Sequence, residues 1–245
     1  MAASPSVTVS VVLHRQWALV RPLLEQLGQL CRGSVAKIVL TVNVPEDVED
    51  IHPGVPLEVV RNAQPKGFGP NHNAAFARCT TPWFLVLNPD IRLEEDVIAH
   101  LLAAAQPMTG LVAPRIQEPG KAHPEPFRDV LTPLELLRRR LPEHRPPALP
   151  AWVPGMFMLV RRDAFAAVGG FDERFFMYCE DFDFCARMRL AGWGLQVVED
   201  TAVRHDAQRA SNRALRPMAW HLSSLAKLWT SSAFWRYLRV GAVRS

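Results

Sequence analysis

The sequence predicts an α/β fold: a mainly parallel sheet flanked by helices and followed by a C-terminal helical segment. Three observations carry the prediction. Short β-branched apolar runs alternate with stretches whose apolar residues recur at helical spacing, the pattern of successive β-α units. One of those runs, Trp83 to Leu87, stops at Asn88-Pro89-Asp90, and sheets of this kind collect ligands beyond the carboxyl ends of their strands. The 245 residues, 49% hydrophobic and 21% charged, also supply the core that one such domain needs without disulfide or metal staples.

Val7 to Leu13 is β-branched and largely apolar, the signature of a strand buried on both faces. Trp17 to Leu30 carries apolar residues at helical spacing, with Pro22 acceptable only near a first turn. Strand-like runs recur at Ala36 to Val42, Leu57 to Arg61 and Trp83 to Leu87, with a helix from about Pro70 to Cys79 between the last two. Glu94 to Ala105 reads as a helix opened by acids that suit its N-terminal dipole, and Gly110 to Pro114 as a short strand. From Arg115 to Pro150 prolines crowd the chain and leave a long loop, broken by one helical piece around Leu134 to Arg140. Loops of that length inside a domain are usually functional or disordered. Beyond lie a strand at Phe157 to Val160, a helix at Asp163 to Val168, the turn Gly169-Gly170, a helix from about Asp181 to Ala191 and a strand at Leu195 to Val198.

Pro217 to Val240 is helical in pattern and interleaves Trp220, Trp229 and Trp235 with Lys227, Arg236 and Arg239. That mixture suits peripheral attachment to a lipid interface, and equally suits packing on the domain or on a second copy in a homodimer. The expected division is one domain over residues 1–216 and an amphipathic helical segment over 217–245.

Charge and cysteines exclude more than they identify. Lys+Arg 28 against Asp+Glu 24 leaves a net +4, compatible with an anionic ligand or membrane surface and too weak for nucleic acid. Cys31, Cys79, Cys179 and Cys185 form no C-x-x-C pair and no Cys/His ligand spacing, so reduced, buried thiols are expected rather than zinc or a redox dithiol. The opening stretch lacks a basic region and runs into His14 and Arg15 without a small-residue cleavage site, so it reads as a strand. No run approaches the ~18 consecutive apolar residues of a membrane span. A cytoplasmic protein is expected, with attachment to the inner face of the plasma membrane left open.

Four constellations carry chemistry. In Lys66-Gly67-Phe68-Gly69-Pro70-Asn71-His72-Asn73 the glycines allow close approach of a ligand and the asparagines offer amides to a sugar or phosphate; a plain turn before a helix uses the same residues. Asp90 in Asn88-Pro89-Asp90 is a hard oxygen donor suited to Mg²⁺ or Mn²⁺ bridging two phosphates, although Asn-Pro-Asp is also a good turn. The strongest block runs from Gly169 to Arg187, where Glu180, Asp181 and Asp183 gather amid phenylalanines. Such acids are desolvated, which raises a carboxyl pKa and makes a better general base. They also serve as helix-opening acids, and Asp183 with Arg187 has the i,i+4 spacing of a plain ion pair. His205 is a surface or core histidine by itself, or the imidazole that completes a metal site begun by Asp90.

In order, K-G-F-G-P-N-H-N-A-A, F-L-V-L-N-P-D, the long block from P-G-M-F-M-L-V through G-G-F-D-E-R-F-F-M-Y-C-E-D-F-D-F-C-A-R, and the late histidine resemble glycosyltransferase family 2. These are inverting nucleotide-sugar enzymes of GT-A (Rossmann-like) fold, and the likeness is to the rhamnosyltransferase-like branch. The resemblance implies transfer of a sugar, with rhamnose a candidate, from a nucleoside-diphosphate sugar to a hydroxyl of a glycan or lipid-linked acceptor in surface polysaccharide biosynthesis. Asp90 corresponds to the last acid of the family's D-x-D, which ligates a divalent ion (Mg²⁺ or Mn²⁺), and Asn88 stands in place of the first. His205 matches the histidine that contacts the metal or diphosphate, and Asp181, paired with Glu180, the general base. Lys66, Gly67, Phe68, Gly69 and Asn73 then line the donor site with Asn88 and Asp90, and the loop over residues 115–150 lies on the acceptor side.

The chain departs from the family at two strand ends. Leu13-His14-Arg15 stands where a Thr-Tyr-Asn-like end is usual, and Thr41-Val42-Asn43-Val44-Pro45-Glu46 where Asp-Asn-Gly-Ser is usual. Both segments hold the nucleotide in the family. Two other readings therefore stand beside the transferase: a catalytically degenerate nucleotide-sugar-binding protein, and a metal-dependent nucleotidyltransferase or phosphohydrolase that uses the same acids.

Overall fold

The computed structural model describes residues 6–206 and 215–242. Residues 1–5, 207–214 and 243–245, which include both ends of the expected two-part division, lie outside the described residues. The elements in chain order are β1 (Val7–Leu13), α1 (Trp17–Leu30), β2 (Val35–Val42), β3 (Leu57–Arg61), α2 (Phe68–Phe76), β4 (Trp83–Leu87), β5 (Ile91–Arg92) and α3 (Val97–Ala104). They continue as β6 (Thr109–Gln117), α4 (Pro133–Arg138), β7 (Phe157–Arg161), α5 (Arg162–Ala167), α6 (Glu180–Leu190), β8 (Gly194–His205), α7 (Leu215–Trp229) and α8 (Ser232–Ala242).

The strands form one eight-stranded sheet of order β3-β2-β1-β4-β7-β6-β8-β5. Pairings are parallel from β3 through β4 and between β6 and β8, and antiparallel where β7 and β5 join. The mainly parallel α/β sheet expected from the alternating pattern is thus present. β1 shows how period-two alternation sorts its residues. Val7, Val9, Val11 and Leu13 face an aliphatic core with Leu23, Leu24 and Leu27 of α1 and Leu101 of α3. Thr8 and Ser10 face the other layer, where Thr8 Oγ1 lies 2.8 Å from Thr81 Oγ1 and Ser10 Oγ 2.8 Å from His72 Nδ1. That layer is aromatic: the Phe84, Phe165, Phe171 and Phe184 rings meet edge-on or tilted at 4.6–5.7 Å. The four cysteines are buried and unbonded to one another.

Several boundaries differ from the sequence reading. Pro22 sits beyond the first turn of α1, where its missing N–H costs a helical bond. Burial of Val20, Leu23, Leu24 and Leu27 on one face holds the helix regardless. α3 starts after Asp96, whose Oδ1 accepts from Ala99 N at 3.0 Å, so Asp96 is its cap, and Glu94 and Glu95 precede the helix rather than form its first turn. β8 runs past Val198 to His205, because its ladder with β6 bulges around residues 199–201 and then resumes with Arg115 opposite Ala202. The expected single C-terminal helix is two, broken at Thr230 and Ser231, where Ser231 Oγ accepts from Phe234 N. Leu225, Leu228, Phe234 and Tyr237 of α7 and α8 are buried in the aromatic core. The expected boundary at residues 216 and 217 falls inside α7. Among the described residues no helix is long and apolar enough to cross a membrane.

Two contacts lock the frame. Gly28 of α1 runs against the Pro53 carbonyl so closely that a Cβ there would lie 1.4 Å from its oxygen. Arg187 donates to Asp183 Oδ2 at 2.7 Å and to the carbonyls of Val168 and Gly170 at 2.6 and 2.8 Å, pinning a turn in which Gly169 and Gly170 both have positive φ. Gly28→Ala is expected to destabilise the fold by roughly 2 kcal/mol or more. Gly33→Ala, with open space around the new Cβ, serves as the neutral control. Arg187→Gln is expected to cost roughly 3–5 kcal/mol, because it strands the buried Asp183 carboxylate. Urea titration of the variants measures both effects.

Candidate active site

The carboxyl ends of β1, β2 and β4 open into a cleft of about 470 Å³. Asp90 and Asp181, distant in sequence, both line it, together with Lys66, Asn88, Gly155 and Glu180. The neighbouring strands explain how each acid arrives there. Asp90 follows the fully buried β4, and β5 then pairs antiparallel with the end of β8, with Ile91 opposite His205. That register brings His205 Nε2 to 3.2 Å from Asp90 Oδ2. Burial works against a charge on His205, but the hydrogen bond and charge of Asp90 outweigh it and raise the imidazole pKa.

Among the described residues, Asp90 Oδ1 and His205 Nδ1 are both buried without a hydrogen-bond partner. An orphaned carboxylate oxygen beside an imidazole fits a divalent cation such as Mg²⁺ or Mn²⁺, and it is costly to bury with nothing to bind. No group of three or more His, Cys, Asp or Glu side chains is gathered for a metal among the described residues. Two protein ligands would leave the other coordination positions to phosphate oxygens and water.

The second acid is built into the start of α6. Tyr178 and Cys179 are consecutive non-glycine residues with positive φ, 73° and 66°, a strain of roughly 1–3 kcal/mol each. The kink turns the chain so that Glu180 and Asp181 open the helix at the cleft. α7 buttresses it from outside: Ser224 Oγ donates to Met177 O at 2.8 Å, Lys227 Nζ to Arg174 O at 2.7 Å, and the His221 ring packs on Tyr178. Asp181 Oδ1 accepts from Phe182 N at 2.8 Å and Oδ2 from Gly155 N at 3.1 Å. Burial raises its pKa, and those amide bonds offset only part of the rise. Glu180 is pushed up too, by burial first and then by the Asp181 charge, and its Oε2 has no partner among the described residues.

The glycine-rich segment divides. Lys66 and Phe68 line the cleft, whereas Gly67, Gly69 and Asn73 do not. Phe68 N donates to Phe176 O, and a Cβ on Gly67 would lie 2.4 Å from that oxygen, so Gly67 serves close backbone packing. A Cβ on Gly69 would meet the Phe171 side chain at 2.8 Å. Asn73 spends its amide on Phe171 O, Phe171 N and Glu173 Oε1, which ties α2 to the segment after Gly170. The amides read as sugar contacts are thus partly structural: Asn71 accepts from Asn62 and donates to the carbonyls of Lys66 and Gly67.

Three cleft residues escaped the sequence reading. Asn43, at the altered end of β2, donates to Lys66 O and lies 3.2 Å from His14 Nδ1, while its Oδ1 accepts from Lys66 N and Asn62 Nδ2. It therefore fixes the Lys66 loop. Gly155 holds Asp181, and a Cβ on it would stand 3.0 Å from the Phe68 ring; its place in P-G-M-F was the available signal. Arg128 brings a cation to the rim from inside the proline-rich stretch, where nothing local marks it.

Comparison with known proteins follows the same lines. Residues 30–220 match the family model for glycosyltransferase like family 2. An N-acetylglucosaminyl-diphospho-decaprenol L-rhamnosyltransferase of Mycobacterium tuberculosis is 35% identical over 153 residues, which cover 54% of this chain and 49% of that protein. The rhamnosyltransferase WbbL of Escherichia coli K12 is 45% identical over 75 residues, 30% of this chain and 28% of WbbL. The chain thus aligns with about half or less of the length of these curated relatives. Among solved structures, GalNAc-T7 with UDP, GalNAc and Mn²⁺ superposes with a TM-score of 0.63 at 17% identity, over 83% of this chain and 44% of that one. The mannosyltransferase PcManGT of Pyrobaculum calidifontis, with GDP-Man and Mn²⁺, superposes with a TM-score of 0.60 at 15% identity, over 99% of this chain and 76% of that one. The chain has the GT-A fold and belongs to the glycosyltransferase-like family 2, with rhamnosyltransferases among its relatives.

Proposed function

We propose that this chain is an inverting, divalent-metal-dependent glycosyltransferase that moves a sugar, rhamnose first among the candidates, from a nucleoside-diphosphate sugar to a hydroxyl of a glycan or lipid-linked acceptor. The observation that carries the reading is that Asp90 and Asp181 open onto one cleft. The described residues up to 206 form the catalytic unit, and α7 and α8 the segment that braces it.

A single displacement needs a base on one side of the anomeric carbon and positive charge on the other. Asp181 takes the acceptor's hydroxyl proton as its oxygen bonds to the anomeric carbon, and the bond to the diphosphate oxygen breaks on the opposite face, inverting the configuration. The Gly155 and Phe182 amides hold the Asp181 oxygens in place, and the raised pKa makes the carboxylate a stronger proton acceptor. Glu180, protonated more readily than an exposed carboxyl, limits the negative charge beside it. Lys66 and Arg128 bring cations to the same cleft, Lys66 without a side-chain partner among the described residues. Asp90 and His205 are the residues that would hold the metal. When bound, a divalent cation supplies charge neutralisation for the departing diphosphate.

Asp181→Asn is expected to lower kcat by roughly 10²–10⁴-fold with donor affinity retained. Asp90→Ala is expected to abolish transfer and remove the Mn²⁺ dependence of nucleoside-diphosphate binding. Product analysis with dTDP- and UDP-sugars and a lipid-linked acceptor, beside calorimetric titration of the nucleoside diphosphates, measures both. Release of pyrophosphate or inorganic phosphate in place of a nucleoside diphosphate, or full turnover by Asp181→Asn, contradicts the assignment.

A further inference from the structure

We propose that the loop from Asp129 to Ala151 docks this protein on an anionic lipid surface. The loop is closed at its base. Ala151 N donates to Arg128 O and Trp152 Nε1 to Asp129 O, both at 3.0 Å, and Arg128 pairs with Trp152 in an isolated bridge. The C-terminal helices hold the same base: Trp229 Nε1 donates to Leu131 O at 2.8 Å, and Tyr237 Oη to Ala151 O at 2.7 Å. Arg128 lines the cleft, so whatever the loop touches is brought to the rim of the active site.

The loop turns an unusual set of side chains to the outside. Leu131 and Glu135 are buried, which orients α4, yet Leu134, Leu137, Leu141 and Leu149 are 55%, 63%, 56% and 75% exposed. They account for four of the chain's exposed large hydrophobic residues within one short stretch, and such a patch marks a binding surface. Arg138, Arg139, Arg140 and Arg145 are interspersed among them and exposed as well, against two exposed acids in the loop, Asp129 and Glu143. Leucines that enter the acyl boundary and arginines that stay at the phosphates are the two halves of interfacial binding. The proline content points the same way. Pro142, Pro146 and Pro147 carry no backbone N–H, so the loop tip takes fewer unsatisfied donors into a water-poor interface than an ordinary loop. An arginine-bearing, leucine-studded loop matches anionic headgroups over hydrocarbon.

The use of this surface rests on the glycosyltransferase reading, since it delivers the cleft to a lipid-linked acceptor, but the docking is measured without turnover. The full chain is sedimented with vesicles of phosphatidylcholine alone or mixed with phosphatidylglycerol, at low and high salt. Binding is expected only to the anionic vesicles and is expected to weaken with salt. Leu137→Ser/Leu141→Ser and Arg138→Gln/Arg140→Gln are each expected to reduce it by roughly tenfold or more. Melting temperature and the thermal shift by nucleoside diphosphate with Mn²⁺ are expected to stay unchanged, which separates loss of docking from loss of the donor site. Equal sedimentation of wild type and variants, equal binding to uncharged vesicles, or a wild-type dimer that the leucine variant dissolves would each overturn the proposal.

Discussion

Removal of water from two adjacent carboxyls at the start of α6 is the constraint on which the site depends. Glu180 and Asp181 are the first residues of a helix whose N-terminal dipole favours negative charge, yet burial outweighs the dipole and leaves both groups inclined to hold a proton. Such an arrangement is stable only when its surroundings are rigid. The left-handed Tyr178 and Cys179 store strain, and the surrounding contacts repay it: α7 grips the backbone from Arg174 to Met177, Asn73 clamps Phe171, and Arg187 pins the Gly169-Gly170 turn. The aromatic core beneath α6 serves the same end, since close-packed rings leave little room for the carboxyls to relax toward water.

The other side of the cleft follows a different logic. Asp90 is placed by a buried strand, and His205 reaches it through the long β8, which must bulge at residues 199–201 to bring the imidazole into register with β5. Among the described residues an oxygen on Asp90 and a nitrogen on His205 are left without partners, so this half of the cleft offers donor atoms where the proposed function puts a cation, as the α6 half offers buried carboxyls where it puts a proton. Between them, the saturated amide of Asn43 fixes the Lys66 loop. The altered end of β2 therefore carries a structural residue, and Asn43 has no free amide group left with which to contact a ligand.

Much of this was legible in the chain. β1, β3 and β4 announce themselves as short strand-like runs with the bounds found, and the i,i+4 spacing of Asp183 and Arg187 correctly sets that acid apart from its neighbours as an ion-pair member. What stayed hidden depends on long-range register or on how a polar side chain spends its bonds. Asn73 looks like a ligand amide because its partners at Phe171 and Glu173 lie about a hundred residues away. The two-residue β5 and the polar half of β8 carry no periodicity to read, so the Asp90–His205 contact emerges only from the sheet. The break between α7 and α8 is a single capping serine inside a pattern that reads as continuous helix.

The pH dependence of transfer tests the desolvated base most directly. With saturating donor, acceptor and Mn²⁺, kcat is predicted to rise with pH as Asp181 loses its proton. Because burial raises that pKa, the acid limb is predicted to lie clearly above the ~3.9 of an ordinary aspartate. The limb should vanish in the residual activity of Asp181→Asn. A rate that stays flat down to the ordinary aspartate range, or an acid limb that survives unchanged in Asp181→Asn, would contradict the account.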